Sequence, residues 1–215
     1  MTPESLIEQL ENAWTPARRA GVLGSVSVTE LWRRAESLAS VLSERLEVDC
    51  FTWNGRVIDV GTGAGVPGLL VALQMPHVSV DLVDSSSRRL VHAEQALAAL
   101  ALGDRCRTVH GRGDELGHDP AYRHRYDVAV SWLLGGPSES LEQLAPLVSA
   151  GGVVIVSASE ADRPRWLGSD LSSLGCGPAR VHESPLGLFV SVEVRTVTPS
   201  RFPRRPKART RSPLL

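Results

Sequence analysis

Residues 57–68, Val-Ile-Asp-Val-Gly-Thr-Gly-Ala-Gly-Val-Pro-Gly, constrain this chain more than any other stretch. An apolar run holding a single acid, Asp59, leads into glycines at 61, 63, 65 and 68. The pattern predicts a buried strand, a tight turn and the start of a helix. Glycine permits positive φ and lets a ligand approach bare main chain. The helix that follows offers free N–H groups at its start, so a nucleotide-like ligand suits the turn.

The remaining pattern says what surrounds this turn. Leu6, Ile7, Leu10 and Trp14 predict a helix over 4–14, and Val28, Leu31, Trp32, Ala35, Leu38 and Leu42 predict another over 28–47. On the second helix Arg33 and Arg34 are either substrate contacts or a solvated face. From Val57 strands and helices alternate: strands at 57–60, 78–84, 106–110, 126–131 and 152–158, with helices at 66–74, 88–101, 138–148 and 164–174. Two closing strands, near 179–183 and 187–195, are joined only by Ser184, Pro185 and Leu186, so they are expected to be antiparallel neighbours. The expected fold is α/β: a doubly wound, mostly parallel seven-stranded sheet with an antiparallel C-terminal hairpin and N-terminal helices. The expected division is a helical cap over 1–50, a ligand-binding domain over 51–197 and a basic tail over 198–215.

Gly63-x-Gly65-x-x-Gly68, with Asp84 downstream, formally satisfies the dinucleotide fingerprint. Two features favour S-adenosylmethionine over NAD. Asp59, Gly61, Gly63 and Gly65 form the D-x-G-x-G-x-G string of methyltransferases that use it, and the sheet ends in a hairpin rather than a second nucleotide half. Asp59 then either meets the ligand ammonium or is a buried structural acid. Asp84, at a strand end, accepts from ribose hydroxyls or complements a helix N-terminus. Asp114, in the loop Gly111-Arg112-Gly113-Asp114, is expected beside the adenine.

The formal net charge of −1 names no partner, but its distribution does. From Arg195 onward the chain holds 7 basic residues and no acid, leaving 16 basic and 24 acidic residues before it. A basic tail on an acidic body suits RNA or serves solubility. Cys50, Cys106 and Cys176 have no metal or disulfide spacing, so no metal is expected and a reducing cytoplasm is. There is no leader pattern and no apolar run long enough to span a membrane.

Gly65-Val66-Pro67-Gly68, Leu82-Val83-Asp84-Ser85, the 111–116 loop and the tail Arg201-Phe202-Pro203-Arg204-Arg205-Pro206 together resemble the RsmG (GidB) methyltransferases. That resemblance implies methyl transfer from S-adenosylmethionine to N7 of a guanine in 16S ribosomal RNA, with the small-subunit RNA or the 30S particle as partner, and a monomer. It places cofactor contacts on Gly61, Val66, Gly113 and Asp114, beside Asp59, Gly63, Gly65 and Asp84. Arg204, Arg205, Lys207 and Arg209 become candidate phosphate contacts. The chain departs from the family where Ser131-Trp132-Leu133 replaces Ser-Arg-Ala, Val156-Ser157-Ala158 replaces Leu-Lys-Gly, and Arg33-Arg34-Ala35 lacks a histidine. These departures also admit a diverged paralogue with another substrate, or a binding protein without turnover. Ser131 and Trp132 are the candidate catalytic, substrate-facing residues, with Trp132 either stacking on a base or walling the pocket.

Overall fold

The computed structural model describes residues 3–48, 54–132, 134–184 and 187–215. Helices α1 (Pro3–Arg19) and α2 (Val28–Val48) come first. There follow β1 (Arg56–Val60), α3 (Gly68–Gln74), β2 (Ser79–Asp84), α4 (Ser87–Ala99), β3 (Cys106–His110), α5 (Gly113–Leu116), β4 (Tyr126–Ser131) and α6 (Pro137–Leu144). The chain continues through β5 (Val148–Ala158), α7 (Arg163–Gly168), β6 (Arg180–Ser184), β7 (Gly187–Glu193) and α8 (Pro206–Arg211).

Among the described residues, 7 strands form one sheet in the order β3-β2-β1-β4-β5-β7-β6. Only β7 runs against its neighbours. The expected closing hairpin is therefore present, although Pro185 and Leu186 of its turn lie outside the described residues. Strand order reverses between β1 and β4, and in an open α/β sheet a ligand crevice opens above the carboxyl ends at such a reversal.

Side chains alternate across the sheet and so supply two cores. Val57, Val128, Val130 and Ile155 face α1, α2 and α3. Ile58, Val60, Ala129 and Val154 face α6 and Trp166. Because both faces are covered, these strands read as continuous apolar runs. Helix α1 also reaches the glycine turn directly, where the Trp14 indole N–H donates to the Ala64 carbonyl at 2.8 Å.

Several boundaries differ from the sequence pattern. Helix α1 continues past Pro16 because Ala13, Trp14 and Ala17 bury one face. The segment expected as one helix over 164–174 is helical only to Gly168, then irregular with a single 3-10 turn at Ser172–Leu174. The largest difference is at residues 198–215, expected as a tail without regular structure. Thr198, Phe202 and Arg209 are buried, and α8 lies within the segment. The Arg123 guanidinium holds this stretch by donating to the carbonyls of Thr198, Pro199, Phe202 and Gly117. The boundary expected at residue 50, together with Cys50 and Leu133, lies outside the described residues. Cys106 and Cys176 are buried and unpaired.

Candidate functional site

The turn between β1 and α3 is built as its sequence demands. Gly61, Gly63 and Gly65 have φ of 81°, 58° and 96°, a region that side chains other than glycine rarely adopt. The N–H groups of Gly61 and Thr62 donate to the Val83 carbonyl at 2.8 and 2.9 Å, tying the turn to the end of β2. Asp59 sits directly beneath. It is fully buried, and its Oδ2 accepts from the Thr62 hydroxyl at 2.6 Å and the Gly68 N–H at 2.8 Å. Burial pushes its carboxyl up to about 7, against the lowering effect of these two hydrogen bonds. Its Oδ1 is buried without a hydrogen-bond partner.

Asp84, at the end of β2, is also buried. Its Oδ2 accepts from the Gly63 N–H and its Oδ1 from the Ser86 N–H, both at 2.9 Å. Arg89 of α4 pairs with Oδ1 at 3.0 Å. Since the Arg89 side chain is 49% exposed, this ion pair is solvent-screened and a ligand diol can compete for the carboxylate.

Two cavities meet at Gly61 and Arg89. One, of about 250 Å3, lies over β1, β2 and β3 and reaches Asp84, Gly111, Gly113, Glu139 and Gln143. The other, of about 310 Å3, lies between the glycine turn and α2 and reaches Thr62, Val66, Arg34 and Trp132. Together they have the size of a small-molecule site. The first suits a nucleoside: it has an acid at a strand end and bare backbone at Gly111 and Gly113. A Cβ on Gly113 would stand 2.9 Å from Val60 Cγ1 and 3.0 Å from Gln143 Oε1, so the close approach requires glycine.

The expected residues are thus partly brought together. Gly61, Asp84 and Gly113 line the first cavity, and Gly61, Gly63, Val66 and Trp132 line the second. Gly65 does not line either; its missing Cβ leaves room for Leu69. Asp114 does not line the cavity; it pairs with Arg112 at 3.0 Å and Arg209 at 3.2 Å. Burial raises the Asp114 carboxyl, but these two guanidinium groups outweigh it and hold the carboxyl below its ordinary value. Ser131, expected to face substrate, is buried, and its hydroxyl donates to the Val60 carbonyl at 2.6 Å. It fastens β4 to β1 at the reversal point instead.

The basic tail divides in two. Arg209 is 4% exposed and pairs with Asp114, while Arg204 pairs at 2.6 Å with Glu142. These two residues hold the C-terminal segment on α5 and α6. Arg205, Lys207 and Arg211 are exposed. Arg89, Glu139 and Gln143 also line the first cavity; in the sequence they carry no signal that sets them apart from the polar positions of an amphipathic helix. No group of metal-ligating side chains occurs among the described residues.

Comparison with known proteins identifies this arrangement. A family model described as rRNA small subunit methyltransferase G matches residues 19–168, more than half of the chain. The ribosomal RNA small subunit methyltransferase G of Trichormus variabilis is 32% identical over 147 residues, covering 67% of this chain and 58% of the relative. That of Nostoc punctiforme is 30% identical over 192 residues, covering 86% and 77%. The matched stretch is therefore little more than half the length of the first relative. Among solved structures, a methyltransferase from Geobacter sulfurreducens shares the fold with a TM-score of 0.59 at 14% identity, over 87% of this chain and 88% of that one. The fold is that of class I methyltransferases, and the chain belongs to the rRNA small subunit methyltransferase G family.

Proposed function

We propose that this protein transfers a methyl group from S-adenosylmethionine to N7 of a guanine in 16S ribosomal RNA. The observation that carries the proposal is the pair of joined cavities at the β1/β4 reversal, in a chain whose family is named for this RNA. When bound, the cofactor supplies an electrophilic methyl group. Guanine N7 has an in-plane lone pair and no proton, so the protein needs no general base. Its work is positioning and exclusion of water. Asp84 and the Gly111–Gly113 backbone hold the nucleoside end of the cofactor. The 61–66 turn, kept in shape by Asp59 and Ser131, holds the amino-acid end. Trp132 walls the second cavity, where a base can enter.

The exposed Arg205, Lys207 and Arg211 supply phosphate contacts, while Arg204 and Arg209 keep the segment that carries them in place. The exposed large apolar side chains among the described residues, Val26, Val91, Leu167 and Val197, are few, which supports a monomer. No described helix is long and apolar enough to cross a membrane. A ribosomal RNA substrate supports a cytoplasmic location.

The test incubates purified protein and radiolabelled S-adenosylmethionine with 30S particles or naked 16S RNA that lack the modification. Label is expected in 7-methylguanosine at one position. Label in another nucleoside, or in no ribosomal RNA, overturns the proposal.

A further inference from the structure

The second cavity lies between the glycine turn and the 22–34 segment that leads into α2. Its far wall is made by Trp132, just after β4, and Arg34 of α2. The Arg34 guanidinium carbon stands 4.8 Å from the Trp132 ring centroid and 5.8 Å from that of Phe189 on β7. The two rings are 6.3 Å apart and tilted by 37°. The guanidinium is therefore held against two aromatic faces by cation–π attraction. Its Nε is buried without a hydrogen-bond partner, as is the Trp132 Nε1. A buried donor without an acceptor is costly to fold around, so such donors point to a guest that supplies one.

We propose that Arg34, backed by Trp132, is the positioning residue that donates to the O6 carbonyl of the target guanine and so selects guanine over adenine. This rests on the function proposed above. Guanine presents O6 and N7 side by side as acceptors, whereas adenine places an amino donor where guanine has O6. An unconstrained arginine takes both acceptors at once, which would block N7. A guanidinium fixed against Trp132 and Phe189 is restricted in how it can turn, and donation to O6 alone leaves N7 open.

Arg34 shares the second cavity with the glycine turn, so contact with the cofactor carboxylate is the competing role that the experiment must separate.

The experiment compares the wild-type chain with Arg34→Ala and Arg34→Lys on 30S particles reconstituted with guanine or 2-aminopurine, which lacks O6, at the mapped position. Cofactor affinity is measured in parallel by calorimetry. For the wild type, 2-aminopurine should lower kcat/KM by about tenfold to a hundredfold, the effect of one charged hydrogen bond. Arg34→Ala and Arg34→Lys should lose a similar factor on guanine, make no further distinction against 2-aminopurine, and bind S-adenosylmethionine within about twofold of wild type. Retained discrimination in both variants overturns the proposal. So does a loss confined to cofactor affinity, which would make Arg34 a carboxylate clamp. If the wild type methylates no guanine in these particles, the functional reading fails and this inference falls with it.

Discussion

Asp59 shows how much one residue can carry, and its sequence context left two roles open. The structure shows the structural role: Asp59 is fully buried and lines neither cavity. Oδ2 joins the end of β1 to Thr62 and to the first turn of α3, while Oδ1 is buried and without a partner. Because burial raises the folded-state pKa to about 7, the folded protein holds this proton more tightly than the unfolded chain, whose carboxyl titrates near 4. The contribution of Asp59 to stability is therefore greatest below about pH 4 and declines as pH rises towards 7. Asp59→Asn keeps an acceptor for Thr62 and Gly68 but cannot ionise. The variant should gain stability relative to wild type between pH 5 and pH 8, by up to roughly 4 kcal/mol at the upper end. Thermal melts across that range in the absence of cofactor check this. Parallel wild-type and variant curves would remove the assignment.

At the scale of elements, the 198–211 segment behaves as part of the domain. Glu142 of α6 is fully buried, and its main cationic partner is Arg204. Removing one member of such a pair strands the other charge, at a cost of about 3 kcal/mol or more. Arg204→Ala should therefore lower the melting temperature by several degrees, whereas Lys207→Ala, at an exposed position, should leave it within a degree or so. Equal melting temperatures would mean that Arg204 is not an anchor. Sequence pattern could not disclose this docking. The strands were legible because Val57–Val60 and Val128–Val130 carry their apolar signal locally, and the glycine turn because its φ angles admit few other residues. The contacts Arg204–Glu142, Arg209–Asp114 and Arg123 with the Thr198–Phe202 carbonyls each join residues more than 60 positions apart. A run of arginines and prolines has the same composition whether it docks or hangs free. The pairing of Asp114 was hidden for the same reason, since its partner Arg209 comes from that segment.

At the scale of the whole molecule, a net charge of −1 conceals a separation of charge. The 7 basic residues from Arg195 onward follow a body with an excess of acids, so on the function proposed above the C-terminal segment is the side offered to RNA. Part of that positive charge is neutralised within the fold, because Arg204 and Arg209 already face Glu142 and Asp114. On the proposed function the footprint for RNA is accordingly smaller than composition suggests, and we assign its centre to Arg205, Lys207 and Arg211, exposed residues of the α8 region. Each phosphate contact releases counterions and adds about 0.7 to the slope of log K against log salt on single-stranded RNA. Replacing these three residues together by alanine should flatten that slope by about 2 and weaken binding most at low salt. The melting temperature and the affinity for S-adenosylmethionine should be unchanged, since none of the three lines either cavity. Filter binding of 16S RNA between low and physiological salt, with calorimetry on the cofactor, separates the outcomes. An unchanged slope would move the RNA-binding surface to another face. A loss of cofactor affinity would instead show that α8 supports the cleft through Arg209 and Asp114.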